Sequence, residues 1–181
     1  MSNDHGDDQV ARSWAMRPAD DDDRPFLDQL YLTTRWEEVL AWGLPPQAAQ
    51  LFLKAQASTQ RRAYALQFPS AEHRVLLMAG CPVGRLIVSD EPEGQRIVDL
   101  AVMPAVRRQG LASWAIRDVL DRARHRRRPV HLHASVDNPA RSLYERLGFR
   151  ATTAASETGL VSMICDAGAS DRSTTRRPGR P

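Results

Sequence analysis

Residues 98–112, Val98-Asp99-Leu100-Ala101-Val102-Met103-Pro104-Ala105-Val106-Arg107-Arg108-Gln109-Gly110-Leu111-Ala112, read as a strand, a short loop and the start of a helix. The apolar run stops before Pro104, and Ala112, Ile116, Val119, Leu120 and Ala123 then fall on one helical face. The first turn of such a helix carries N–H groups without partners and a partial positive charge. Gly110 and the small Ala112 leave that backbone open to an anion, and Arg107 and Arg108 add charge beside it, so the segment predicts a phosphate-binding turn. It lacks the Gly-Lys-Ser/Thr ending of an NTPase phosphate loop and the triple glycine of the dinucleotide fingerprint. A nucleoside triphosphate or NAD is therefore disfavoured as the ligand.

Working outward, a short strand is expected at residues 14–17, stopped by Pro18. Asp20 to Asp23 then precede Pro25 and the apolar Phe26, Leu27, Leu30 and Tyr31, which is the pattern of a capped helix with one buried face. Capping and solvation are preferred to a metal site for this run of aspartates. Gly43, Pro45 and Pro46 separate a second helix, expected over about 46–66, whose helix-spaced apolar pairs include Leu51 with Ala55 and Ala48 with Phe52. Residues 74–78, 83–88 and 96–102 predict a three-stranded antiparallel meander, with a turn at 79–82 and a loop at 90–94. Downstream, residues 130–134 alternate as a strand, Asn138-Pro139 opens a short helix that Gly148 ends, and a last strand is expected at 160–165. This order predicts an α/β or α+β domain whose sheet is antiparallel early and has a parallel crossover late. A single domain is expected over 13–166. Residues 1–12 and 167–181, polar and poor in large apolar side chains, are expected to be disordered tails.

The 181 residues suit one domain, and 42% hydrophobic with 26% charged residues excludes a collagenous, coiled-coil or wholly disordered chain. The acidic start Met1-Ser2-Asn3-Asp4-His5-Gly6-Asp7-Asp8 has neither the basic nor the apolar region of a secretory signal, and charged residues interrupt every apolar run. A soluble, cytoplasmic protein with no membrane partner is expected. Cys81 and Cys165 lie far apart, without the spacing of a zinc site or disulfide framework. The formal charge of +3 is gathered in Arg122, Arg124, His125, Arg126, Arg127 and Arg128, and again in Arg172, Arg176, Arg177 and Arg180. The first group reads as the last turn of a helix, complementing its dipole before Pro129. No aromatic residues interleave with it to stack bases, so nucleic-acid binding is the minority reading.

The turn Arg107-x-x-Gly110-x-Ala112, followed by Asn138-Pro139-Ala140-Arg141-Ser142-Leu143-Tyr144-Glu145-Arg146-Leu147-Gly148-Phe149, resembles the GNAT superfamily of acyl-CoA-dependent N-acetyltransferases. The resemblance covers roughly residues 14–165 by element order, with its specific motifs between about 97 and 149. It implies a mixed, mainly antiparallel central sheet of six or seven strands, flanked by about four helices and splayed at the cofactor strand. It further implies acetyl-CoA as co-substrate and no metal. By the same resemblance the pyrophosphate lies on Arg107, Arg108, Gln109, Gly110, Leu111, Ala112 and Ser113. The pantetheine arm follows the backbone of Leu100, Ala101 and Val102, and Asn138 and Arg141 help to hold the cofactor.

The implied reaction is transfer of an acetyl group to a primary amine of a small-molecule, peptide or protein acceptor, by direct attack in a ternary complex. Tyr144 matches the family's general acid; a phenol with a free pKa of about 10 can protonate a departing thiolate without being ionised at neutral pH. Its other reading is a core tyrosine, and Asn138 also reads as an Asn-Pro cap, a role compatible with holding the cofactor. The general base stays open among Glu37, Glu38, Glu72, Asp90, Glu91, Glu93 and Asp99, or a water relay. Asp99 is the most suggestive of these, with the solvent face of a strand as its alternative. Arg35, Trp36, Trp42, Gln56 and Gln60 are candidates to shape the acceptor pocket, though for each one individually an exposed polar stripe is the preferred reading. An acyl-CoA-binding regulatory or assembly module with little turnover is the competing function. A homodimer is open to the chain as it is to its family.

Overall fold

The computed structural model describes residues 13–152 and 159–167. The expected tails lie outside the described residues, Ala167 excepted. The strands are β1 (Trp14–Pro18), β2 (Glu72–Met78), β3 (Cys81–Glu91), β4 (Gly94–Val102), β5 (Val130–Ser135), β6 (Arg150–Ala151) and β7 (Leu160–Cys165). The helices are α1 (Arg24–Leu40), α2 (Pro46–Gln67), α3 (Leu111–His125) and α4 (Arg141–Arg146). Among the described residues the strands run in the order β1-β2-β3-β4-β5-β7-β6, a mixed and mostly antiparallel sheet as expected. Two compact units divide the chain: residues up to Asp90 with Ile97–Ala115, and Glu91–Arg96 with the residues from Ile116 onward.

In the first unit, Asp20 caps a short 3-10 helix, Asp21–Asp23, by accepting from the Asp22 N–H, while the Asp23 carboxylate accepts from the Asp20 N–H. The reciprocal box accounts for Asp20 as the sequence suggested. Asp23 does more. It is 4% exposed and takes a forked pair from Arg17 Nη1 and Nη2 at 2.6 and 2.7 Å, tying β1 to the start of α1. The Arg17 hydrogen bonds hold the Asp23 carboxyl down to about 2, against an ordinary value of 3.8. A depressed folded-state pKa stabilises the fold fully above the unfolded value, and that contribution is lost as pH falls from about 4 towards 2. Melting temperature should therefore drop across that window, and Asp23→Asn should flatten the drop while lowering stability near neutrality by about 1–3 kcal/mol. An unchanged profile in the variant would refute the assignment.

Helices α1 and α2 pack through Tyr31, Leu32, Val39, Ala49, Leu53 and Ala57, all buried. Of the two apolar pairs read from the sequence for α2, Ala48 and Phe52 are half-buried, with Phe52 against this core, and Leu51 with Ala55 is corrected. The i, i+4, i+8 row Ala49-Leu53-Ala57 faces α1, while Leu51 is 70% exposed and Ala55 is also outside the core. Both rows have helical spacing, so periodicity alone could not choose between them. Leu53→Ala should cost about 2–5 kcal/mol through the cavity it leaves, and Leu51→Ala within about 0.5 kcal/mol of nothing. Denaturant unfolding of the two variants checks the face directly.

The β2–β3 hairpin is tighter than expected, because Ala79 and Gly80 alone turn the chain, both with positive φ (49° and 78°). Two such residues suit the twist of a short hairpin. Cys81 and Pro82 consequently belong to β3, and Cys81 is exposed. A bulge between Leu76 and Leu77 shifts the register, so Leu76 faces Gly84 and Leu77 faces Pro82. Gly84 has no room for a side chain, since a Cβ there would stand 2.7 Å from the Ala101 carbonyl oxygen of β4.

The second unit is built on β5 and β7, whose antiparallel register sets Val130 against Cys165, Leu132 against Met163 and Ala134 against Val161, all buried. The alternation read at residues 130–134 is this face, with His131 and His133 turned away from it. The two-residue β6, pairing Arg150 with Ile164, has no sequence signal of its own. Ile116, Val119, Leu120 and Ala123 of α3 are buried as expected, joined by Leu111 and Ala115, while Ala112 is half-buried.

Candidate active site

β4 is succeeded by a 3-10 helix, Pro104–Val106, and then by Arg107 in an extended conformation, φ −66° and ψ 162°. Arg108 follows with φ 63° and Gly110 with φ 95°. A left-handed arginine is costly unless its surroundings hold it, so this turn is a committed shape. Within α3 the first ladder bond runs from the Trp114 N–H to the Gly110 carbonyl at 3.0 Å. The amides of Leu111, Ala112 and Ser113 precede that ladder, and no acidic side chain stands in the first turn. The arrangement is a positive concavity of backbone donors.

Two details differ from the sequence-based picture. Gly110 is required by the fold itself. Its φ suits glycine, and a Cβ there would stand 3.0 Å from Cη2 of Trp14 in β1, whose ring also meets Trp114 at 6.1 Å. The Arg107 side chain folds back, donating from Nε to the Val102 carbonyl at 3.1 Å. Its charge fastens the loop to the end of β4, and that carbonyl of the strand expected to pair with pantetheine already has a donor. Arg108 and Gln109 are exposed; the Met103 N–H donates to the Val83 carbonyl, extending the β3–β4 contact past Val102.

In the second unit, α4 begins at Arg141 and not at Pro139, because Asn138 Oδ1 accepts from the Ala140 N–H at 2.8 Å and turns the chain first. That bond uses the amide oxygen and leaves the amide N–H₂ as the group able to meet a ligand. Tyr144 is 8% exposed, and its ring meets Phe149 edge-on at 6.0 Å. Phe149 is the core aromatic expected after the Gly148 cap, which has φ 93°. Arg141 donates to the Val136 carbonyl at 3.2 Å and lies 3.7 Å from Glu145, so its side chain braces the loop before α4.

Polar chemistry gathers elsewhere in the first unit. A cavity of about 80 Å³ is lined by side chains of α1 (Arg24, Asp28, Tyr31), α2 (Gln60, Arg61, Tyr64) and β3 (Arg85, Ile87), with Asp20 and His73 beside them. Asp99, read as either a catalytic or a solvent-face carboxylate, is neither free nor fully exposed. It pairs with Arg85 at 2.7 Å, the two side chains being 20% and 14% exposed. Gln60 accepts from Arg85 Nη2 at 3.1 Å, and Gln56 accepts from the Tyr31 hydroxyl at 3.5 Å. Burial, reinforced by the Asp99 carboxylate, pushes the Tyr64 phenol up to about 12, so it is a neutral donor at any physiological pH. Burial and the Arg85 guanidinium hold His73 below its ordinary value, which keeps it neutral as well.

Of the other candidates, Arg35 sits over the Tyr31 ring at 5.8 Å and near Glu38, and Trp36 packs on the α1–α2 core. Trp42 is 58% exposed against Phe52. Glu72 pairs with Arg74 and Glu91 with Arg96. Arg85, Tyr64 and His73 escaped the sequence reading, although a single arginine in the apolar run Val83-Gly84-Arg85-Leu86-Ile87 was a usable signal. The arginine cluster at the end of α3 and just beyond it is engaged locally: Arg122 with Asp118, Arg124 with Asp121, and Arg128 with the carbonyls of Pro92 and Gly94. No described helix is long and apolar enough to cross a membrane.

No curated protein sequence matches the chain. Among solved structures, the chain is similar to a PaiA N-acetyltransferase from Thermoplasma acidophilum in complex with coenzyme A, at 11% identity and TM-score 0.65, over 85% of this chain and 99% of that one. It is also similar to an acetyltransferase from Thermus thermophilus, at 18% identity and TM-score 0.61, over 86% and 98%. A third is the ribosomal-protein-S18-alanine N-acetyltransferase from Escherichia coli, at 18% identity and TM-score 0.57, over 90% and 99%. At such identities these likenesses establish the fold. The profile of the acetyltransferase (GNAT) family matches residues 28–149, which take in most of α1 and all of α2, the meander, the turn before α3 and α4. With more than half of its length under that profile and the same fold in its structural neighbours, the chain belongs to the GNAT acetyltransferase family.

Proposed function

We propose that the protein is an N-acetyltransferase that moves an acetyl group from acetyl-CoA to a primary amine, acting as one catalytic domain over residues 13–166. The observation that carries this reading is the turn before α3, where Arg108 and Gly110 take positive φ and three amides stand ahead of the helical ladder with no carboxylate among them. Those features fit a pyrophosphate, and the coenzyme A complex of the PaiA neighbour favours CoA as its bearer. Leu111, Ala112 and Ser113 would hold it through backbone N–H groups, with Arg108 and Gln109 at the rim and the Asn138 amide N–H₂ available to the arm.

The thioester supplies an activated acyl group. The amine must arrive neutral, losing a proton to water or a carboxylate as the new C–N bond forms and the C–S bond breaks. Tyr144 Oη would deliver the proton that the departing sulfur takes up. Two experiments test the reading: calorimetric titration with CoA, and thiol release from acetyl-CoA across a panel of amines. Saturable CoA binding with amine-dependent thiol release is expected. Binding with no release from any amine would favour a regulatory acyl-CoA module, and absence of binding would defeat the proposal.

A further inference from the structure

The cavity beneath α1 and α2 is organised around one guanidinium. Arg85 spends its Nε–Nη2 edge inside the protein, on Asp99 Oδ2 at 2.8 and 2.7 Å and on Gln60 Oε1 at 3.1 Å. Its Nη1 has no partner among the described residues, although the residue lines the cavity. Asp99 thus fixes the plane of the fork and neutralises its charge without occupying the remaining donors. Holding an arginine in this way removes most of the rotamer entropy it would otherwise lose on meeting a ligand.

Three arginines, Arg24, Arg61 and Arg85, and two aspartates, Asp20 and Asp28, line the cavity. Arg61 is matched by Asp28 at 2.7 Å, and Asp20, which also lines the cavity, lies 3.5 Å from Arg17. Arg24, also lining the cavity, has no ion pair among the described residues. Arginines therefore outnumber aspartates in the lining by three to two, and the neutral Tyr64 belongs to the same space, whose size fits a small end group and not a folded surface. A polyamine would bring a second ammonium against Arg24, a like-charge arrangement that disfavours it.

We propose that this cavity binds a carboxylate of the acceptor, with Arg85 as a substrate-binding residue, so that the amine acetylated belongs to an amino-acid-like zwitterion. The carboxylate half of the proposal stands on the cavity alone; the acetylated amine rests on the acyltransferase reading above.

The experiment pairs free amino acids with their carboxamides, which keep the amine and remove the anion. Binding is read by melting shift and calorimetry, without acetyl-CoA, on the wild-type protein and on the Arg85→Gln/Asp99→Asn double variant, which keeps the local charge balanced. At least one free acid should bind, its carboxamide at least about 30-fold more weakly, and the double variant should lose that preference while keeping its CoA affinity. Should the double variant not fold, Arg85→Lys keeps the charge but not the fork and should weaken binding of the acid by about 10-fold. With acetyl-CoA present, kcat/KM should favour the acid over the carboxamide to a similar degree. Equal binding of acids and carboxamides, no melting shift from any acid, or an undiminished preference in the variants overturns the proposal. So does tighter binding of inorganic phosphate and a phosphate-bearing amine than of any carboxylate. A protein that binds carboxylates but not CoA would instead overturn the acyltransferase reading and leave the carboxylate site standing.

Discussion

Replacing Tyr144 by phenylalanine should lower kcat by about 100-fold or more while CoA affinity stays within about twofold of the wild type. The contrast follows from where the residue stands. Its ring is buried against Phe149, and phenylalanine keeps that edge-on contact, so the structural cost is the worth of about one hydrogen bond, roughly 1 kcal/mol. The proposed pyrophosphate donors belong to a different segment, residues 111–113, and the substitution does not alter them. A core tyrosine with no role in proton transfer would show the same small loss of melting temperature with normal turnover. Turnover should be measured over several pH values once a working acceptor is found, under conditions where chemistry limits the rate. Wild-type kcat in the phenylalanine variant would remove Tyr144 as the acid, even if the protein proves to be an acetyltransferase.

What the sequence made legible was local. The strand, turn and helix start around residues 98–112 could be read because the apolar strand, Pro104, the glycine and the 3.6-residue rhythm of α3 lie within a few residues of one another. The alternation at residues 130–134 was legible for the same reason, and prolines, glycines and capping residues marked the limits of the remaining elements. Choices that depend on distant partners were not legible. α2 offers two apolar rows of equal spacing, and only the position of α1 decides that Leu53 is inside and Leu51 outside. Asp99 could not be told from a solvent-face carboxylate, because its partner Arg85 lies on another strand and the Gln60 that completes the pair lies on a helix. Arg107 illustrates a third limit. Its charge was read as serving a ligand at the turn, but the side chain's contact with the Val102 carbonyl is a matter of loop conformation that residue type does not encode. The fold's demand on Gly110 was hidden likewise, since Trp14 meets it from the far end of the sequence.

That last contact also decides how the phosphate turn can be tested. A bulky residue at position 110 would strain a φ of 95° and press on Trp14, so a loss of CoA binding there would not separate a ligand effect from a damaged loop. Ser113→Asp avoids the difficulty. Position 113 is the third residue of α3, in a first turn that holds no acidic side chain, and a carboxylate near a helix N-terminus is neutral or stabilising by about 0.3–1 kcal/mol. The same charge repels a pyrophosphate: at a separation of ~5 Å and an effective dielectric near 20 the penalty is about 3 kcal/mol per charge pair before screening. CoA affinity should therefore fall on the order of 100-fold while the melting temperature holds or rises, and Ser113→Ala should change neither by much. Because part of the repulsion is screened, the deficit should shrink as salt is raised from about 0.05 to 0.5 M. Calorimetric titration of the three proteins at both salt concentrations gives the answer. A folded Ser113→Asp protein that binds CoA as tightly as the wild type would place the pyrophosphate somewhere other than the start of α3.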